Sequence, residues 1–168
     1  MSITMYQTAV PPVLQILTSL SALLDKAASY CQERKIEPSV LLNARLFPDM
    51  FPLTRQVQIT TDQAKGMAAR LAGIEVPSFA DTEASFPELQ ARLEKTITFV
   101  KSVRADQIDG TENKTIHLKT PHIDLTFTGQ QYLLNFVFPN FYFHATTAYN
   151  ILRHSGVDVG KKDFLGSL

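Results

Sequence analysis

The residues of this 168-residue chain whose types and spacing could do chemistry are concentrated in one run, from Phe136 to Asn150: FVFPNFYFHATTAYN. Val137, Phe141 and Ala148 fall at helical steps, and His144 occupies the step between Phe141 and Ala148, so the periodicity turns it toward the interior. Asn140 lies four residues before His144, on the same helical face. An imidazole titrates near pH ~6.5 and is the natural acid, base or metal ligand at neutral pH. Pro139, with no backbone N–H, frees the Asn135 carbonyl in a continuous helix and favours a kink beside the polar pair.

A second polar set sits upstream. Gln56 adjoins the stripe residues Leu53 and Val57, and Asp49 precedes it by seven residues, about two turns if the helix extends that far. This predicts a ligand pocket lined by Asp49, Gln56, Asn140 and His144. His144 is the catalytic candidate, and Asp49 would orient or polarise it. The plainer alternative is that these groups satisfy one another and the backbone freed by Pro48, Pro52 and Pro139, because buried polar groups must be paired. As metal ligands, His144, Asn140 and Gln56 make a weak set, since neutral amides bind nickel or zinc far less well than imidazole. The other histidines are less suited: His154 closes a helix, where a cation suits the dipole, and His117 and His122 lie on a hairpin.

Four long helical patterns must position these residues. The first runs from Tyr6 through Val10, Val13, Leu17, Leu20, Leu24 and Ala27 to Cys31, and Pro11 and Pro12 place its start near Pro12. The second carries Leu53, Val57, Thr61, Ala64, Ala68 and Leu71 and stops at Gly73. The third opens at Ser85 with Pro87 and Glu88 in its first turn and ends near Arg104. Ala105 to Lys114 is a polar connection. Thr115 to Leu118 and Ile123 to Phe127 alternate as a short hairpin about Pro121-His122. Gln130 to Arg153 makes the fourth helix. The expected fold is an all-α four-helix bundle, with the β-hairpin between its third and fourth helices, forming one domain over residues 1–168.

Composition narrows the function classes. Sixteen Lys and Arg balance sixteen Asp and Glu, and 45% of residues are hydrophobic, which disfavours both a nucleic-acid binder and a disordered chain. The single cysteine, Cys31, has no disulfide partner in the chain and reads as a small core residue in a reducing compartment. No signal-peptide pattern or continuous membrane-length apolar run is present, so a cytoplasmic protein away from membranes is expected.

The stretches RLFPDMFPLTRQV, TTDQAKGMAARLAG and PNFYFHATTAYNILRHSGVDVGKKDFL resemble a bacterial family of unknown function in the DinB/YfiT-like superfamily of four-helix bundles. The resemblance covers essentially the whole chain. It implies a homodimer and, in metal-binding members, nickel or zinc held by one histidine on the second helix and two histidines four residues apart on the fourth. Some members are thiol-dependent transferases or isomerases. His144 matches the last histidine of that pattern, whereas Asn140 and Gln56 stand where the other two fall. The resemblance therefore implies a degenerate metal site. Three functions follow as expectations: a small-molecule-binding protein or enzyme built on His144, a non-catalytic dimeric interaction protein, and a metal-dependent thiol transferase.

Overall fold

The computed structural model describes residues 2–120 and 123–166. Helix α1 spans Met5–Arg34 and starts earlier than its prolines imply. Thr4 and Gln7 form a reciprocal capping box, the Thr4 hydroxyl accepting the Gln7 N–H and the Gln7 side chain accepting the Thr4 N–H. Pro11 and Pro12 consequently lie inside the helix, where their rings leave the Gln7 and Thr8 carbonyls without the usual donors. By length and composition α1 could cross a membrane, its most apolar window having a mean hydropathy of 1.2, yet half of that window is buried inside the fold.

After the short α2 (Pro38–Leu42), a turn through Phe47 and Met50 leads to α3 (Leu53–Ala72), which Gly73 ends in the left-handed conformation at φ 74°. Helix α4 (Phe86–Ser102) begins as expected, with the Ser85 hydroxyl accepting the Glu88 N–H. The following connection contains a further helical turn, α5 (Ala105–Ile108), held by the buried Ile108. Strands β1 (Thr115–Thr120) and β2 (Ile123–Thr128) pair antiparallel, with Ile116 opposite Phe127 and Leu118 opposite Leu125. The Pro121-His122 turn lies outside the described residues.

The fourth long helix runs from Gly129 to His154 in three parts. Helix α6 (Gly129–Gln131) passes into a π-helical turn over Tyr132–Val137 and then into α7 (Phe138–His154), the junction residues keeping right-handed helical backbone angles. Gly129 is required by a close approach, since a Cβ there would collide with the Thr111 carbonyl oxygen. The buried Tyr132 accepts a hydrogen bond from Arg70 at 3.0 Å and stacks on Phe136, with ring centroids 5.9 Å apart, locking the π-helical turn against α3. A last short helix, α8 (Lys161–Leu165), lies on α1.

The result is a mostly helical protein with one small two-stranded sheet. Helix α3 packs on α7 and α4, and α1 packs on α4, α3 and α7, enclosing Leu17, Leu20, Leu53, Leu71, Leu93 and Phe141. The loop between α3 and α4 is tied down by Arg92, which is only 3% exposed. Its guanidinium donates to Thr61, Asp62, Glu83 and the Ala80 carbonyl, and Asp81 lies 3.0 Å from Nη1. Desolvating an arginine is tolerable only because its donors meet this many acceptors. Arg92→Ala would leave Glu83 without its cation, and equilibrium urea denaturation should show a loss of about 3 kcal/mol. A loss comparable to that of Lys26→Ala, which removes an exposed surface pair, would contradict this role.

Candidate functional site

The first residues of α3 are arranged around one backbone carbonyl. Pro52 caps the helix in an extended conformation and leaves the Phe51 carbonyl beside the first turn. Gln56, 1% exposed, donates from Nε2 to that carbonyl at 3.0 Å. Its Oε1 is thereby directed at α7, where it lies 2.7 Å from His144 Nδ1.

These two contacts determine which ring nitrogen of His144 carries a proton. The Phe51 carbonyl can only accept, so the Gln56 amide nitrogen must face it and the amide oxygen must face His144. An amide oxygen also only accepts, so Nδ1 carries the proton. In the neutral ring Nε2 then holds the lone pair. Burial, the larger effect, and then the nearby positive charge of Arg55 hold the His144 pKa below the ordinary histidine value, favouring that neutral form. Nε2 has no protein partner among the described residues, and none of their buried polar side-chain atoms is left unpaired, so this nitrogen meets solvent.

The predicted pocket residues have separate fates. Gln56 and His144 are brought together. His144 is half-buried at the edge of the helix stripe, because a step of about 3.6 residues from Phe141 falls between positions 144 and 145 and Ala145 takes the fully buried place. Asn140 shares the helix but does not meet His144. Its amide nitrogen donates to the Phe136 carbonyl at 2.7 Å, within the π-helical turn that replaces regular α-helical bonding before Pro139. Asp49 lies exposed in the turn ahead of α3, and no hydrogen bond or ion pair among the described residues joins it to the others. The helix starts at Leu53, so the two-turn spacing from Asp49 to Gln56 does not apply.

Arg55 and Phe51 were not singled out by periodicity. Arg55 Nη1 donates to Gln58 Oε1 at 3.2 Å and to Asp81 Oδ2 at 2.6 Å, and its guanidinium carbon stands 5.9 Å from the Phe51 ring centroid. Phe143 meets the His144 ring edge to face at 5.2 Å. Phe51 and Phe143 are 53% and 57% exposed, so the imidazole sits in an open aromatic margin and not in a closed interior chamber. Arg55, but not His144, also borders a cavity of about 400 Å³ between α2, α3 and the α3–α4 loop. The adjacency of Arg55 to Gln56 was the available sequence signal.

The remaining candidates are structural or peripheral. His117 is exposed and paired with Thr126 across the hairpin at 3.0 Å. His154 is exposed in the last turn of α7, and His122 lies outside the described residues. Cys31 is buried in the core, where burial, followed by Glu37, pushes its thiol pKa up.

A nickel or zinc ion does not fit this donor set. Gln56 Oε1 is occupied by the imidazole proton, and Asn140 is an amide tied to the backbone. Among the described residues no three His, Cys, Asp or Glu side chains are grouped to hold a metal.

The fold places the chain among DinB-like proteins. It is similar to the crystal structure of a DinB family member protein from Shewanella denitrificans, with 39% identity and a TM-score of 0.87 over 97% of this chain and 92% of that one. Residues 5–165 match the family described as a domain of unknown function, DUF1993, and the chain belongs to that family. No functionally curated protein matches it.

The lowered His144 pKa has a definite consequence for stability. Above the unfolded-state pKa, about 6.5, the ring is neutral in both states and no stability is lost. As the pH falls from there toward the lower folded-state pKa, the unfolded chain takes up the proton first and the fold is weakened. Urea midpoints measured from pH 8 to 5 should therefore fall less steeply for His144→Gln than for the natural protein. Identical pH profiles would contradict the buried, neutral imidazole.

Proposed function

We propose that this protein is a metal-independent small-molecule-binding member of the DinB-like four-helix bundles, forming one domain, in which Gln56 presents His144 Nε2 as a neutral hydrogen-bond acceptor or general base. The observation that carries the reading is the chain Phe51 carbonyl, Gln56 amide, His144 Nδ1 at 3.0 and 2.7 Å. It is the arrangement by which a histidine's second nitrogen is held in one tautomer for use. The bundle itself is supported by the mutual packing of α1, α3, α4 and α7. A base of this kind accepts a proton from a ligand hydroxyl, amide or thiol. The exposed rings of Phe47, Phe51 and Phe143 favour a second reading, a homodimer that covers this face.

Two measurements test the first reading. Diethyl pyrocarbonate, which attacks unprotonated imidazole nitrogen, should modify His144 at pH 7 in the intact protein, as located by mass spectrometry. Resistance of His144 under conditions that modify the exposed His154 would count against an open Nε2. Purified protein equilibrated with nickel or zinc and then desalted should retain no stoichiometric metal, whereas Gln56→His combined with Asn140→His should gain retention. Stoichiometric metal held by the natural sequence would overturn the metal-independent assignment.

A further inference from the structure

The segment from Glu75 to Glu83, between α3 and α4, is held almost entirely by charge. Among the described residues its backbone shares no hydrogen bond with other backbone groups, and none of its apolar side chains packs on the hydrophobic core. Its fastenings are cations. Asp81 lies 2.6 Å from Arg55 Nη1 and 3.0 Å from Arg92 Nη1. Glu83 accepts from Arg92 at 3.0 Å and from the Gln58 amide at 2.8 Å, and the Ala80 carbonyl accepts from Arg92 at 3.1 Å. The Phe79 ring centroid stands 4.1 Å from Lys95 Nζ, 4.7 Å from Lys65 Nζ and 5.6 Å from the Arg92 guanidinium carbon, distances at which an aromatic face attracts a cation.

These cations come from two packed helices, Arg55 and Lys65 from α3 and Arg92 and Lys95 from α4. Apart from Asp81 and Glu83, the acid paired with them among the described residues is Asp62, 2.8 Å from Arg92 and 2.9 Å from Lys65. Two cavities border the segment. One of about 290 Å³ is lined by Phe79, Glu83, Arg92 and Lys95, and the other, of about 400 Å³, by Arg55, Gln58, Asp81 and Glu83. Glu83 lines both, so they meet at this side chain.

We propose that Glu75 to Glu83 is an ionically latched strap over a cation-lined cleft, and that a multivalent oxyanion opens it by replacing Asp81 and Glu83 on Arg55 and Arg92. In the closed state the two carboxylates are the cleft's internal ligand. With the strap lifted, four cations face Asp62 alone. An anion with several charged oxygens satisfies arginine forks and lysine ammonium groups together, through short charge-assisted hydrogen bonds. Because it binds only the open form, it shifts the population toward that form. Opening is local, since the strap contributes little to the apolar core that holds the helices together.

Inorganic pyrophosphate serves as the probe, with sodium chloride at matched ionic strength as the comparison, and nitrogen-15 relaxation of the full chain as the readout. Without added anion, the strap amides should be as rigid as the helices, with order parameters of about 0.85. Pyrophosphate should lower them below about 0.6 and shift the Arg92 Nε–H signal saturably. Sodium chloride should do neither. Asp81→Asn combined with Glu83→Gln keeps the side-chain shapes, and should free the strap without pyrophosphate and tighten pyrophosphate binding about tenfold by removing the cost of opening. Asp81→Asn alone, at an exposed position, should give the same changes in smaller measure if the double variant does not fold. Arg55→Gln added to the variant that folds should weaken pyrophosphate severalfold. A strap that stays rigid in a folded variant would overturn the ionic latch. Equal opening by sodium chloride, or no saturable response to pyrophosphate, would overturn the anion site.

Discussion

A backbone carbonyl has no proton to give, and in this protein that constraint propagates from Phe51 to the surface. It dictates which end of the Gln56 amide faces inward, the amide dictates which nitrogen of His144 is protonated, and the ring is left with its lone pair toward solvent. The Phe51 carbonyl is available because Pro52 starts α3 in an extended conformation. Gln56 is almost fully buried, so its hydrogen bonds cannot be exchanged for water without leaving a polar group unsatisfied.

The rest of the fold supplies the registration this short chain requires. Packing of α3 on α7 sets the distance between Gln56 and His144, and the π-helical turn fixes the rotation of α7 through Tyr132 and its Arg70 partner. The α3–α4 loop contributes from the other side. Asp81 joins Arg55 to Arg92, so the buried cation that secures this loop also helps to hold the Arg55 guanidinium in place. Neutral amides at positions 56 and 140 have different partners: one orients a histidine, the other donates to the backbone of its own helix. Neither is free to act as a strong metal ligand.

Much of this was legible in the sequence where periodicity and capping agree. The apolar stripes of α1, α3 and α4, the Gly73 stop, the Ser85 cap and the alternating hairpin residues all report local chemistry, and the family resemblance supports the same helical fold. The start of α1 was misplaced because Pro11 and Pro12 alone set it, while in the folded chain the Thr4–Gln7 capping box and core packing prevail. The π-helical turn is invisible to a 3.6-residue template, and so was the pairing of Asn140 with Phe136. Gln56 and His144 were recognisable as inward-facing polar residues, but their direct bond depends on how two helices pack. Asp49 failed because its inclusion assumed a longer α3. Arg55 acquires significance only from the loop that returns Asp81 to it.

The most direct measurement is nitrogen-15 NMR of the His144 imidazole in the intact protein at a pH above the unperturbed histidine pKa, with His144→Gln identifying its signals. A protonated Nδ1 and an unprotonated Nε2, with the Nδ1 proton shifted on Gln56→Leu substitution, are the result this structure requires. A ring protonated at Nε2 in the neutral state would contradict it.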